Sequence, residues 1–312
     1  MNACRAAVSW RRGVRRLGSN TFQCGDRIIV VRRDKKAVLK RVLRQKGAYL
    51  IYVLDDDIES AADDHTLPDD YRKRLLDMTG GLTGEILERA DLILASSQQL
   101  LNRLSRSKAV ERIDPYWGKR CPIGDHFDRS ERSHIELVHM GTASHQAALG
   151  FLKSVVAEVL RQRPNVVFNY FSNTPLLGSL DESRQVRRSK IVSWRRYQTD
   201  IGKQRFHLAL YPILDTPFNK ARSCNKITEQ ALTGCAGIYS DSWEHAHRVI
   251  DDHNGWLVAN KADDWVNKII ELVDDPDRLR RSYQASRAIA SQTVRREEQR
   301  RLWNRLFFKG KL

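Results

Sequence analysis

The sequence predicts an α/β protein of two domains, each a parallel sheet covered by helices. Three observations carry that expectation. From residue 27 onward, short β-branched runs alternate with longer amphipathic segments, the rhythm of strand and crossover helix. A polar, irregular stretch over residues 106–134, with Pro115, Gly118, Pro122 and Gly124, separates two such series. The 312 residues suffice for two domains of ordinary size.

The first series opens with Arg27–Arg32 (RIIVVR), and a basic helical stretch follows to Lys46. Tyr49–Leu54 (YLIYVL) reads as a buried strand running into Asp55-Asp56-Asp57. A helical pattern follows Pro68 through Arg89, then a strand at Leu92–Ala95, with Ser96 or Ser97 placed to cap the next helix. Only three strands are evident in this half, so its sheet is expected to be small or to begin irregularly. The second series runs strand 135–140, helix 145–162, strand 166–171, a polar helical stretch to residue 187, and strands 190–194 and 207–211. It continues with helix 225–233, strand 236–239, helix 242–249, strand 256–258 and helices 262–273 and 276–290. The expected domains are 1–130 and 131–292, with 293–312 a basic terminal helix or tail. There is no fixed-period repeat.

Composition narrows the function classes. Hydrophobic residues make up 41% and charged residues 29%, which argues against global disorder. Five cysteines without a Cys-x-x-Cys pair argue against a disulfide framework or structural zinc, and favour a reducing, cytoplasmic setting. No apolar run approaches the roughly 20 residues that span a bilayer. The net charge of +16 points to nucleic acid, an anionic membrane surface or anionic substrates. Nucleic acid is the least supported, because no aromatic-studded basic strand or known motif is present.

Much of the excess charge lies at the ends. Before Asp26 there are Arg5, Arg11, Arg12, Arg15 and Arg16 and no acid, with Ala7, Trp10, Val14 and Leu17 at helical spacing. A membrane-surface helix, a frayed basic terminus and an Arg-rich presequence all fit that pattern. The tail Val294–Leu312 combines seven basic residues with Leu302, Trp303, Leu306, Phe307 and Phe308. It either lies on anionic lipid or docks its apolar face on the first domain, and docking is favoured.

The most informative stretch is His207–Tyr239, HLALYPILDTPFNKARSCNKITEQALTGCAGIY. A strand ends at Tyr211, Pro212 and Pro217 force an extended loop, and a helix begins near Ser223 and stops at Gly234. Ligands of parallel sheets bind at the carboxyl ends of strands, and a helix start with orphan amides suits a diphosphate. Lys226 in the first helical turn adds a full positive charge there. Glu229, three residues on, lies on the same face and can accept both hydroxyl protons of a ribose. Spacing alone fits an ordinary solvated Lys/Glu pair better.

The stretch resembles the C-terminal domain of the group 1 glycosyltransferases, bacterial polysaccharide type, which are retaining sugar-nucleotide enzymes of GT-B fold. A subgroup of that family carries "PL-x-x-x-x-x-N-x-x-K-S-x-x-K-x-x-E" after a short strand; here it reads Pro212-Ile213, Asn219, Arg222, Ser223, Lys226 and Glu229. Glu229 matches the second glutamate of the family's E-x7-E, and the first falls on Ala221. Glu136–His145 (ELVHMGTASH) resembles the first strand and glycine turn of that domain, Asp251–Val258 its "dg-x-nG-x-lv" turn, and the segment from Asp263 to Pro276 the helix after it. Ile51–Ile58 and Ala90–Leu100 resemble the end of the family's N-terminal domain, "iy-x-iDDd" and then "aD-x-vi-x-sS-x-x-L".

The resemblance implies two Rossmann-like domains facing a cleft, the first shortened because the family's opening strand and glycine-rich loop are not evident before Arg27. It also implies transfer of a hexose-like sugar from a nucleoside-diphosphate donor to a saccharide or lipid-linked acceptor. It implies donor contacts from Gly141, Thr142, Asn219, Arg222, Ser223, Lys226 and Glu229. Lys226 and His145 are expected to meet the reacting phosphate or sugar, and Asp55, Asp56 and Asp57 to face the acceptor. No cofactor or metal is expected on this reading. Two alternatives stand beside it: a metal-dependent D-x-D transferase, in which Asp55 and Asp57 hold Mg²⁺ or Mn²⁺, and a nucleotide-sugar-binding protein without turnover. A peripheral place at the inner face of the membrane is also expected.

Overall fold

A computed structural model describes residues 13–79, 81–118, 120–128, 134–293 and 296–308. Twelve strands form two six-stranded sheets among these residues. The first sheet holds β1 (Arg15–Arg16), β2 (Thr21–Cys24), β3 (Arg27–Val31), β4 (Tyr49–Leu54), β5 (Leu92–Ala95) and β6 (Val110–Arg112), in chain order. β1 to β3 form an antiparallel meander, and β3 to β6 are parallel. The crossovers carry α1 (Lys36–Arg44), α2 (Ile58–Ala62), α3 (Asp69–Thr79), α4 (Gly81–Arg89) and α5 (Gln98–Leu104).

The second sheet holds β7 (Ile135–His139), β8 (Val166–Phe171), β9 (Val186–Ser189), β10 (Leu208–Tyr211), β11 (Ala236–Ser240) and β12 (Trp256–Val258). Its spatial order is β12-β11-β10-β7-β8-β9, all parallel. The chain winds outward on one side of β7 and then returns to wind outward from β10 on the other. The β7/β10 boundary is thus a topological switch point, where strand ends diverge and open a crevice. Around this sheet lie α6 (Gln146–Gln162), α7 (Trp194–Asp200), α8 (Pro217–Lys220), α9 (Asn225–Leu232), α10 (Ala262–Val273) and α11 (Pro276–Thr293).

Alternation explains both cores. In β3 and β4, Ile28, Val30, Leu50 and Tyr52 face Leu39 and Val42 of α1, while Ile29, Val31, Ile51 and Val53 face the opposite side. The second side is covered by α12 (Arg296–Phe308), which brings Trp303, Leu306 and Phe307 back from the far end of the chain. Arg27 Nη1 donates to the carbonyl of Leu306 at 2.7 Å and fastens this helix. The expected docking of the terminal apolar face is what the structure has; Lys309 and Lys311 lie outside the described residues. Trp303 is fully buried, so Trp303→Ala is expected to cost about 3–5 kcal/mol, read as a lower urea midpoint.

Several expected elements differ. Ala7 and Trp10 lie outside the described residues, but Val14–Leu17 is no helix: Arg15 and Arg16 pair with Gln23 and Phe22 as an edge strand. The first half holds six strands rather than three, because β1 and β6 are short and polar and β2 is a mere four residues, TFQC. Between β8 and β9 the chain forms a single 3-10 turn among the described residues, Gly178–Glu182, instead of a polar helix. The strand expected at 190–194 is β9, Val186–Ser189, an edge strand with one buried residue. The apolar run Ile191-Val192 with Trp194 misled the expectation; it lines a cleft instead. Residues 242–249 hold only the turn Ala246–Arg248. Among the described residues no helix is long and apolar enough to cross a membrane.

Candidate functional site in the interdomain cleft

The cleft is set by a loop that crosses from one domain to the other. After β10, residues 212–222 leave the second sheet, and Phe218 and Ala221 sink into the apolar cluster of the first domain beside Ile58 and Ala61. Thr216 Oγ1 donates to Asp64 at 2.6 Å, and Glu244 accepts the amides of Gln98 and Gln99 at 2.6 and 3.1 Å. Asp114 and Arg248 pair at 2.9 Å. These ties hold the strand ends of the two sheets against each other around a cavity of about 600 Å³.

β7 ends at His139, and the chain turns through Met140, Gly141 and Thr142 at the switch point. Gly141 is required by space: a β-carbon there would lie 2.5 Å from His145 Cβ and 2.8 Å from His139 Nε2. α9 follows with Lys226 in its first turn. Lys226 Nζ donates to the Met140 carbonyl and to Glu229, and its ammonium stands 5.9 Å from the centre of the Tyr211 ring. Glu229 also accepts from the Tyr197 hydroxyl at 2.6 Å. Burial and the Glu229 carboxylate hold that phenol well above its ordinary pKa, so it stays a donor. Lys226 and Glu229 are both nearly buried and each lines the cleft.

Arg222 braces the opposite wall. Its Nε donates to Asn219 Oδ1 at 2.8 Å, Nη2 to the Ser144 carbonyl at 2.6 Å, and Nη1 to His145 Nε2 at 3.0 Å. It also lies over the Phe218 ring at 4.5 Å. Burial and then the Arg222 charge push His145 well below its usual pKa, so its imidazole is neutral and adds no cation to the site. Beneath it, His139 Nδ1 donates to the Leu210 carbonyl at 2.9 Å, and burial lowers its pKa to about 4.

A pH dependence follows. His139 and the buried His245, lowered by burial to about 3, are neutral when folded and protonate near 6.5 when unfolded. The unfolded state then binds more protons below that value. Stability is full above about pH 6.5 and falls on acidification toward pH 4 by about 1.4 kcal/mol per unit for each histidine. Thermal melts across that window should drop, and should flatten by roughly one histidine's share in His245→Gln.

The first domain contributes Arg32, Asp55, Asp56 and Asp114. Arg32 follows β3 with φ of 59°, a left-handed conformation that is costly for a side-chain-bearing residue. Its amide donates to Val53 and its carbonyl accepts from Tyr52 Oη at 2.8 Å, which pins the turn. The guanidinium then bridges Asp55 at 3.5 Å and Asp56 at 2.6 Å. Opposite, Trp117, Trp194 and Tyr197 form an aromatic wall, with ring centres 5.2 to 6.3 Å apart. Trp117 Nε1 donates to Asn225 at 2.7 Å.

Of the residues expected from sequence, Gly141, Thr142, His145, Arg222, Ser223, Lys226, Glu229, Asp55 and Asp56 line this one cavity. Two do not. Asn219 is buried behind Arg222 and orients it. Asp57, 1% exposed, caps α2 through Ser60 and pairs with Arg103 at 2.8 Å. Its carboxylate is therefore spent away from Asp55, and the two do not converge as a D-x-D pair would. Among the described residues no three His, Cys, Asp or Glu side chains gather as a metal-binding set. Sequence reasoning missed Arg32, Asp114, Trp117, Trp194 and Tyr197. A lone apolar run before Trp194 was the only signal, and it was read as a strand.

No protein-family model matches the chain. One curated protein of similar sequence is the sensory histidine kinase/phosphatase NtrB of Rhodobacter capsulatus, 25% identical over 189 residues. That match covers 58% of this chain and 51% of NtrB, so the chain spans about half the length of the curated relative it matches. Likeness of fold is broader. Sucrose-phosphate synthase from Thermosynechococcus elongatus superposes with a TM-score of 0.62 at 15% identity, covering 88% of this chain and 70% of that one. HepE of Anabaena in complex with UDP-glucose gives 0.61 at 14%, covering 88% and 76%. The pneumococcal O-GlcNAc transferase GtfA in complex with UDP and GlcNAc gives 0.61 at 13%, covering 94% and 63%. Two parallel-sheet domains, a switch point in the second and a cleft between them define the architecture: the chain has the GT-B fold.

Proposed function

We propose that the protein is a glycosyltransferase that binds a nucleoside-diphosphate sugar in this cleft and moves the sugar to a saccharide or lipid-linked acceptor. The observation that carries the reading is the convergence of Lys226, Glu229 and the Gly141–Thr142 turn at the β7/β10 switch point. A diphosphate there would take hydrogen bonds from the backbone after β7 and the charge of Lys226. Glu229 would then leave Lys226 for the ribose hydroxyls, while Tyr197 keeps it oriented. As the bond to the sugar breaks, Lys226 would neutralise charge growing on the leaving diphosphate. Asp55, Asp56 and Arg32 supply acceptors and a cation on the facing wall, suited to a polyhydroxyl acceptor. We favour the metal-independent reading because Asp57 is engaged with Arg103 and α2. Fold likeness over 88–94% of the chain outweighs the partial match to NtrB.

HepE and GtfA were solved with UDP-containing ligands, which makes UDP and its sugars the first members of a thermal-shift screen. A ligand that binds only the native state raises the melting temperature. The proposal expects at least one nucleoside diphosphate to do so, with sugar transfer or slow donor hydrolysis. Binding without either would leave a non-turnover binding protein, and no shift with any nucleotide would end the proposal.

A further inference from the structure

Outside the cleft, α1 presents a face of exposed cations. Leu39 and Val42 turn its inner face onto the first sheet, and its outer face is Lys36, Ala37, Lys40, Arg41 and Arg44. Lys35 precedes the helix and Lys46 follows it, and all six cations are exposed. The helix contains no acid, and none of the six forms an ion pair among the described residues. Several arginines elsewhere are paired instead: Arg161 with Glu158, Arg163 with Asp274, Arg280 with Asp128 and Arg305 with Glu111. Asp34, the one nearby carboxylate in the chain, is committed to the amides of Ser19 and Asn20 and the hydroxyl of Thr21. Glu85 and Glu88 of the neighbouring α4 form no ion pair with these cations among the described residues.

We propose that the outer face of α1 docks the protein on an anionic lipid surface. Unpaired cations along a helix of about two and a half turns and at both its ends present a single-signed strip, which complements a plane of lipid phosphates. The face carries no aromatic side chain to stack on bases, and this disfavours nucleic acid. It carries no large exposed apolar residue either, so attachment is electrostatic and reversible rather than inserted. The strip begins three residues after Arg32, which lines the cleft. This inference does not depend on glycosyl transfer.

The test is vesicle co-sedimentation of the full chain. Vesicles of phosphatidylcholine with about a third phosphatidylglycerol are expected to bind it, and pure phosphatidylcholine is not. Binding should vanish when salt is raised from about 0.1 M to about 0.5 M. The triple variant K36Q/K40Q/R44Q is expected to lose roughly five-fold per cation, about a hundred-fold in all, with an unchanged melting curve and an unchanged nucleotide shift. The control R184Q/K261Q/R281Q removes the same charge from exposed sites on the second domain. Equal loss in both variants would reduce the effect to net charge and overturn the proposal, as would tighter binding to duplex DNA than to anionic vesicles.

Discussion

Glu229→Gln is expected to abolish measurable binding of the nucleoside diphosphate while the protein stays folded. The amide keeps the side-chain volume and can still accept from Tyr197. It loses the charge that two ribose hydroxyls would share, and charge-assisted hydrogen bonds contribute about 1.5–3 kcal/mol each. A loss of about a hundred-fold or more in affinity follows, read by calorimetry beside a melting curve. Alanine is the poorer probe. It would leave Lys226 and Tyr197 without their shared partner in a nearly closed pocket, and breaking such a pair costs about 3–5 kcal/mol. Unchanged affinity in the glutamine variant would remove Glu229 from the donor site.

Lys226→Met carries the second large effect, and it falls on turnover rather than on binding. The ammonium is the one charged donor that reaches both the strand-end carbonyl of Met140 and Glu229. Removing a preorganised donor from a developing anion typically lowers kcat by about 10²–10³. KM for the donor should rise less, because the backbone amides after β7 remain. Restoration of kcat by arginine is not expected, since its planar fork does not fit where Nζ sits between Met140 and Glu229. A variant that loses KM alone would make Lys226 a ground-state contact.

The second-domain side of the cleft was legible in the sequence because strand, proline-bounded loop, basic helix start and glycine stop occupy consecutive positions from His207 to Gly234. Spacing alone fits a solvated Lys/Glu pair, and the family resemblance is what points Lys226 and Glu229 to a site. The facing wall was not legible. Arg32 reaches the cleft only because its turn takes a left-handed φ, and Tyr197 and Trp117 arrive from a helix and a linker that no periodicity marks. The departure at Ala221 became intelligible only with coordinates. The residue lies in the apolar core of the first domain, where an unpaired carboxylate would be costly. Asp57 shows the converse: three adjacent aspartates look alike in sequence, yet burial assigns one to a helix cap and leaves two at the cleft.

Diffraction from crystals soaked with the nucleoside diphosphate that most raises the melting temperature tests the account most directly. The expected density is one nucleotide between the domains, its diphosphate against the Gly141–Thr142 turn and Lys226 and its ribose on Glu229. A nucleotide seated anywhere else, or a cleft left unchanged at saturating nucleotide while the protein binds another small molecule there, would contradict it.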